Sequence, residues 1–529
     1  MNLLRRTFCW MMLALLGAAP ALAQDAKAVI ADTSKAMGLD GVTTVYYYGS
    51  GAQYSLGQNN NPNMPWPKTP VNAYTRAIDF GAKSTRATWT TFAEPVTGGP
   101  AALANGNQTV NATSTAWAQQ LEMWTTPWGF IKGAEANGAT VATRTIGGKR
   151  YQVVTWNTPF KSPGGAAYKV VGYINPDKVV DRVETWLDHA LFGDMHVEWE
   201  YTLWRDNDGF KYPSEMVQKR AGWPVFDLQV LSAWPNSSKV AQLINPPAPA
   251  GGPPGGAPRG GGPPGAGGPP GAGGPPGAGG PPGAGGPPRA GGAPGGAPAA
   301  AASMSEKLAD GVYRIKSSYN SLAVEMADHI VLIEPGPSNM ARAEQGIAEV
   351  KRLFPNKPIR YGVPTHHHAD HTGGIASAVA EGMTLVVPEV SKAYYEKHLS
   401  TPRTLAPDAL SKSGKKPVVE GFKGDKRVFT DATRTVEIHV IKGLPHADGL
   451  VVAWLPKEKI LVYADMFNLP TAAAPVPDPP VIGTMVFLKN IERLGFDQPG
   501  TQILSIHSLN PDRLTNVQDI RSSIGSNKL

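Results

Sequence analysis

Thr365-His366-His367-His368-Ala369-Asp370-His371-Thr372-Gly373-Gly374 is the stretch that decides the fold of the C-terminal half of this chain. It directly follows Ile359 to Val363, an apolar run that reads as a strand, and precedes Ile375 to Ala380, which reads as a helix. In extended backbone, residues two apart point the same way. His366 and His368 therefore reach one ion together while His367 faces away. Asp370 and His371 fall at the turn into the helix, within reach of a second ion. Cys9 is the only cysteine, so the ligands here are imidazole and carboxylate, a donor set that suits zinc.

Outward from this motif, residues 303–529 read as α/β. Gly311 to Ile315, Ser321 to Met326 and His329 to Glu334 are three short apolar strands, and Ala341 to Phe354 has helical spacing at Ala343, Ile347, Val350 and Phe354. Leu385 to Val387, Val436 to Ile441, Leu450 to Leu455 and Ile460 to Ala464 are further strands, and Val486 to Leu494 is a helix. Residues 399–428, rich in Lys, Pro and Gly, read as an inserted loop that covers a cleft.

The His-x-His-x-Asp-His pattern resembles the metallo-β-lactamase superfamily, and the resemblance extends over residues from about 304 to 529. It implies an αββα sandwich carrying two zinc ions. Carried over residue by residue, it implies that His366, His368 and His446 hold the first ion. His446 stands in Leu444-Pro445-His446-Ala447-Asp448-Gly449, between two strands. Asp370, His371 and His507 would hold the second ion, and Asp465, at the end of a strand, would bridge the two as in the glyoxalase II and lactonase branches. Two cations flanking one water lower its pKa and supply hydroxide at neutral pH. The implied activity is a hydrolase of ester, lactone or related carbonyl bonds, with Asp370 also orienting the nucleophile or passing a proton.

The departures from the family pattern are informative. Glu334-Pro335-Gly336 stands where Asp-x-Gly is common, which makes Glu334 a partner for a ligand histidine. Ala464 and Ser508 replace usual glycines. The Asp465 bridge disfavours a β-lactam substrate, which is kept as the alternative within the class. No glutamate replaces His368, which argues against the di-iron flavoprotein branch. Two further readings stand beside the hydrolase: iron in place of zinc, with oxygen or sulfur chemistry, and an apolar-ligand binding protein with an auxiliary metal site.

Other residues are assigned blander roles. His367 and His439 are packing residues, and His189, His196, His329 and His398 lack ligand spacing. Lys489 belongs to a solvated helix face. Asp448 is a candidate pocket lining, and Tyr319 and Asn320 lie in a loop that borders the site in this family.

The chain has 529 residues, with 60 Gly and 50 Pro. Residues 246–302 hold 23 of those Gly and 18 of those Pro in 57 positions, so the excess is one low-complexity linker that cannot bury a core. Gly recurs at every third position from Gly262 to Gly286, the collagen period, but a flexible tether is the default reading. Residues 24–245 read as a separate β-rich antiparallel domain. From Tyr168 to Trp234, apolar and polar positions alternate between turns. This part loosely resembles the periplasmic lipoprotein-carrier fold, a half-barrel over helices.

Residues 1–23 read as a secretory signal peptide: Arg5 and Arg6, an apolar stretch, then Ala21-Leu22-Ala23. The expectation is an exported protein, periplasmic or secreted, with no transmembrane segment in the mature chain and a small-molecule substrate. The net charge of +7 is spread without basic runs, which excludes a nucleic-acid partner. Oligomeric state is left open.

Overall fold

The computed structural model describes residues 26–93, 102–111, 114, 116–246, 304–470 and 475–525. The expected signal peptide and the Gly/Pro linker lie outside the described residues. The chain divides into two compact units. One comprises Met1–Asn59, Met64–Gly265 and Thr401–Lys412, and the other Asn60–Asn63, Ala266–Ser400 and Ser413–Leu529.

The first unit opens with helix α1 (26–36) and is built on one antiparallel sheet of eleven strands. These are β1 (Thr44–Tyr54), β2 (Lys68–Asp79), β3 (Ser84–Ala93), β4 (Ala102–Val110), β5 (Thr140–Ile146), β6 (Lys149–Lys161), β7 (Ala167–Ile174), β8 (Val180–His189), β9 (Gly193–Asn207), β10 (Phe210–Arg220) and β11 (Trp223–Pro235). Their order is β4-β3-β2-β1-β11-β10-β9-β8-β7-β6-β5, so sequence neighbours pair except where β11 closes onto β1.

Period-2 patterning explains the sheet. In β8, Val183, Thr185 and Leu187 are buried while Glu184, Trp186 and Asp188 are only half-buried. Helices α2 (Trp117–Trp124) and α3 (Pro127–Ala136) cover the buried face. Trp117 donates its indole N–H to Thr185 Oγ1 at 3.1 Å. Gly172 of β7 lets the Phe130 ring lie on the backbone, where a Cβ would stand 2.2 Å from Cζ. Each buried ring of this kind contributes on the order of 2–3 kcal/mol by leaving water. Of the five tryptophans in the expected meander, Trp186, Trp199, Trp204, Trp223 and Trp234, only Trp199 is buried. Helix α4 (Lys239–Ile244) ends the N-terminal run.

Thr401–Lys412 belongs to this first unit. Asp194 accepts from Thr404 N at 2.9 Å, Thr404 Oγ1 at 2.6 Å and Leu405 N at 2.9 Å. Arg403, 6% exposed, donates to the carbonyls of Ala190 and Leu191 at 2.7 and 3.0 Å. This corrects the expectation of one inserted loop over 399–428: 401–412 packs in the first unit, and the stretch also holds a short helix at 409–413, a strand at 418–422 and the start of another at 426.

The second unit carries two sheets. The first, of seven strands, runs β12 (Ser305–Ala309), β13 (Val312–Ile315), β14 (Ser321–Glu325), β15 (Ile330–Ile333), β16 (Ile359–Val363), β17 (Thr384–Pro388) and β18 (Val418–Phe422). Its β12–β15 half is antiparallel and its β15–β18 half parallel. The second, of five strands, runs β19 (Lys426–Thr430), β20 (Thr435–Val440), β21 (Val451–Leu455), β22 (Ile460–Tyr463) and β23 (Gln502–Ser505), with β22 and β23 parallel.

The two sheets share a core in which Leu322, Val324, Val331, Ile333, Val363 and Val386 meet Val436, Ile438, Val451, Val462, Leu504 and Ile506. On the other face of the five-stranded sheet, α10 (Ile482–Leu494) and α11 (Val517–Ile524) pack Phe487, Ile491 and Ile520 against Trp454, Leu461 and Ile503. Helices α5 (Met340–Leu353), α6 (Ala369–Thr372), α7 (Ile375–Glu381) and α8 (Glu389–Leu399) complete the set, and α5 packs on α7 and β13; α9 (Ala409–Ser413) lies almost wholly in the 401–412 segment of the first unit. The layers are thus helix, sheet, sheet, helix, the α/β sandwich expected.

Candidate metal centre

Parallel strands end together at one rim of the sandwich, and the polar residues following them converge there. β15 leads into Glu334, β16 into the Thr365–His371 segment, β22 into Asp465 and β23 into His507. Val451 N–H donates to Thr365 O at 2.9 Å and Ile506 N–H to Tyr463 O at 2.9 Å, tying the ends of both sheets. The glycines of the motif are required by close packing. A Cβ on Gly374 would stand 2.5 Å from the Ala343 Cβ, and one on Gly336 would stand 2.4 Å from the backbone of Ile375.

Seven residues singled out from the sequence come together in two groups. One is His366, His368, His446 and Asp465, and the other is Asp370, His371, His507 and Asp465. Asp465 is common to both. Its Oδ2 lies 3.2 Å from His366 Nε2, 3.1 Å from His371 Nε2 and 3.0 Å from His446 Nε2, and its Oδ1 lies 2.6 Å from His507 Nε2. The Nε2 atoms of His366 and His446 are 3.4 Å apart, and those of His371 and His507 are 3.2 Å apart. Imidazole nitrogens aimed at each other and at one carboxylate form a cradle of lone pairs that fits a pair of divalent cations.

Glu334 fixes the orientation of one of these rings. It is fully buried and adopts φ +58°. Its Oε1 accepts from His371 Nδ1 at 2.8 Å and its Oε2 accepts from Thr365 N–H at 2.9 Å. With the proton held on Nδ1, Nε2 is the atom His371 turns to the site. Tyr395 donates its hydroxyl to His366 O at 3.0 Å and Thr372 donates its own to His368 O at 2.8 Å, so the backbone of the motif is held as well.

Burial pushes the His366 imidazole well below its ordinary range, with His371 and His368 adding to the effect. Burial, His446 and His367 bring His368 to about 2. Both rings are therefore neutral and ready to ligate. Burial opposes the charge on Asp465, but His371 and hydrogen bonds from His366, His371 and His446 outweigh it and hold that carboxyl well below the usual carboxylate range.

Tyr319 stands over the second group. Its hydroxyl donates to Asp370 Oδ2 at 3.2 Å and its ring centroid lies 4.5 Å from that of His507. Burial, with Asp370 beside it, pushes the phenol up, so it remains a donor. The loop beneath it is clamped. Arg342 donates to the carbonyls of Ile315 and Tyr319 at 3.2 and 3.1 Å. Asn320 donates to Ser505 O at 2.9 Å and accepts from Arg314 Nε at 3.0 Å.

The remaining candidates sort as follows. His367 is buried outside both groups, its ring 5.4 Å from Tyr394. His439 pairs with Glu437 at 2.8 Å. Lys489 is exposed. Asp448 is exposed and accepts from Asn61 Nδ2 at 2.8 Å. His196 falls in a third group with Glu184 and Glu198. The chain's own cations already occupy that group: Arg182 lies 3.1 Å from Glu184, and Lys219 lies 3.6 Å from Glu198. Tyr395 and Asn61 were not anticipated, and neither lies in a pattern that spacing reveals.

An αββα sandwich whose two His/Asp groups share one carboxylate defines a metal-dependent hydrolase domain. Residues 316–486 match the Metallo-beta-lactamase superfamily, and the C-terminal region of the chain is a domain of that superfamily. Similar solved structures include a metallo-beta-lactamase from Pontibacter korlensis, 19% identical, covering 42% of this chain and 99% of that one with a TM-score of 0.30. The DIM-1 metallo-beta-lactamase is 16% identical, covering 41% of this chain and 94% of that one, also at TM-score 0.30. TMB-1 gives the same identity, coverage and TM-score. No curated protein matches the sequence. The N-terminal domain is assigned to no family.

Proposed function

We propose that the protein is an exported dinuclear zinc hydrolase that cleaves an ester, lactone or related carbonyl bond in a small molecule. The observation that carries this reading is the reach of Asp465, whose two oxygens lie within 2.6–3.2 Å of imidazoles from both groups. A carboxylate so placed would be shared by two cations. Two such ions, when bound, acidify a water and polarise a carbonyl oxygen.

The chain supplies the rest. His366, His368 and His446 would hold one ion and Asp370, His371 and His507 the other, with Asp465 shared by both groups. Glu334 keeps the His371 Nδ1 proton away from the site. Tyr319 restrains the Asp370 carboxylate, which is also the group placed to orient the attacking water or take its proton. Export is proposed from the Arg5-Arg6, apolar and Ala21-Leu22-Ala23 sequence.

Elemental analysis of purified mature protein tests the metal reading. About two zinc per chain is expected, and iron at about one per chain would redirect the proposal to oxygen or sulfur chemistry. Turnover is then screened on lactones, esters and β-lactams. Asp465→Ala removes the shared carboxylate and should abolish hydrolysis. Unchanged turnover in that variant would refute the dinuclear reading.

A further inference from the structure

His446 is the ligand with the least support from regular structure. It lies between β20 and β21, in a stretch flanked by Gly443 at φ +80° and Gly449 at φ +77°. Left-handed glycines at both ends give this segment freedom that the strands beside it lack. Its imidazole is 26% exposed, whereas those of His366 and His371 are fully buried. One end is anchored: Lys442 N–H donates to Asn490 Oδ1 at 3.2 Å, and Asn490 Nδ2 donates to Lys442 O at 3.0 Å.

The residues flanking His446 are gripped from elsewhere in the sequence. Asn60–Asn63 is part of the second unit. Asn60 Nδ2 donates to Pro445 O at 3.3 Å, on the N-terminal side of His446. On the C-terminal side, Asp448 N–H donates to Asn60 O at 2.6 Å, and Asn61 Nδ2 donates to Asp448 Oδ2 at 2.8 Å.

The turn that makes these contacts is itself preformed. Asn63 N–H donates to Asn61 Oδ1 at 2.9 Å across Pro62, whose ring fixes φ. Asn63 Nδ2 then pins the turn to Val390 O at 3.1 Å, at the start of α8.

We infer that the Asn60–Asn63 turn is a positioning element of the metal centre: it sets where His446 stands and so tunes affinity for the ion held with His366 and His368. The inference rests on the zinc reading above. It assigns a role at the site to residues that lie about 380 positions away in sequence from His446. Partners that hold a ligand imidazole, directly or through its loop, are worth roughly 10–100-fold in metal affinity. Two of the contacts here are surface hydrogen bonds, so the low end applies.

The test is competition for zinc between the full mature chain and a chromophoric chelator, with no substrate present. The Asn60→Ala/Asn61→Ala double variant should bind one of its two ions about 10-fold less tightly. Its cobalt-loaded form should show an altered d–d spectrum. Asp448→Ala removes the Asn61 contact from the other partner and should shift affinity the same way. Lys351→Ala, which breaks only a surface ion pair with Glu381 at 2.9 Å, should leave both affinities near wild type.

Wild-type titration curves from the double variant and from Asp448→Ala would overturn the inference while leaving the metal reading intact. An equal loss in Lys351→Ala would overturn it too, by showing general loosening. Fewer than two ions taken up by the wild-type chain would bring down the metal reading itself, and this inference with it.

Discussion

Glu334→Gln tests how one buried carboxylate both orients a ligand and steadies the metal-free fold. The substitution keeps side-chain size and replaces one carboxylate oxygen by an NH2 group. In the native chain both oxygens accept, from His371 Nδ1 at 2.8 Å and from Thr365 N–H at 2.9 Å. Glutamine satisfies only one of these donors. Thr365 N–H cannot change its character, so the amide oxygen turns to it and the NH2 group faces His371. A donor facing a donor in this fully buried place would cost about 1–3 kcal/mol. Burial opposes charge on the native metal-free His371, but Asp465 and Glu334 outweigh it and hold the imidazole well above its ordinary range, so both nitrogens carry protons. In the variant the ring escapes that cost only by giving up the Nδ1 proton and keeping the one on Nε2, which Asp465 Oδ2 accepts at 3.1 Å.

The metal-free protein then loses a buried ion pair, and zinc can reach Nε2 only if a proton returns to Nδ1 to face the amide NH2 group. Loss of such a partner lowers metal affinity roughly 10–100-fold, about 1.4–2.7 kcal/mol. Zinc competition should therefore show one ion weakened by that factor. The stability of metal-free protein to denaturant should fall by about 3 kcal/mol, because the buried imidazolium has lost one of its carboxylates. Two ions bound with native affinity would refute the reasoning. So would a metal-free variant as stable as the native chain, because that would mean His371 carries no charge there.

Other perturbations probe separate parts of the site. Tyr319→Phe removes the hydroxyl that meets Asp370 at 3.2 Å but keeps the ring on His507; one hydrogen bond of about 1 kcal/mol predicts a roughly 5-fold weaker ion at the Asp370, His371 and His507 group in the same titration. Gly336→Ala forces a Cβ to 2.4 Å from the Ile375 backbone and should cost about 1–3 kcal/mol or more in denaturant unfolding of metal-free protein. Because imidazoles ligate only when their metal-facing nitrogen is unprotonated, zinc affinity should fall as pH drops through the imidazole range, and loading in weak buffer should release acid that an indicator dye detects.

The parts of the fold legible in the sequence are those whose information is local. Ile359 to Val363 is a strand as read, and Ala341 to Phe354 differs from α5 by one residue at each end. β18 and β19 were not legible: Val418–Phe422 and Lys426–Thr430 sit among Lys, Gly and Pro and take their place from neighbours in the sheets. α8 was missed because it buries Ser391, Tyr394, Tyr395 and His398 with few aliphatic side chains, so no apolar stripe marks it. α11 did carry a signal, the Asn516/Asp519 capping box. At the site, the seven convergent residues were legible because the motif orders them. The grip of Asn60 and Asn61 on the His446 segment was not, because contacts across hundreds of residues leave no periodicity.

The same limit applies to domain boundaries. The composition of 246–302 says where the chain cannot bury a core; it does not say where the contacts of the flanking blocks go. Thr401–Lys412 lies beyond the linker in sequence yet belongs to the first unit, where Asp194 takes three hydrogen bonds from Thr404 and Leu405. A fragment beginning at residue 303 would keep that segment but lose Asp194 and the Ala190 and Leu191 carbonyls that meet Arg403. Among its described contacts, Arg403 would retain Asp408 at 2.7 Å. Five named hydrogen bonds at about 0.5–1.5 kcal/mol each would be gone, against an ordering cost of roughly 1–2 kcal/mol per residue for the same backbone. The segment should therefore unfold locally in the fragment. Limited proteolysis should cut it within 401–412 under conditions where the full chain resists. Equal resistance in both proteins would mean that the segment is held from within the C-terminal sequence, and that the boundary drawn from composition was the physical one.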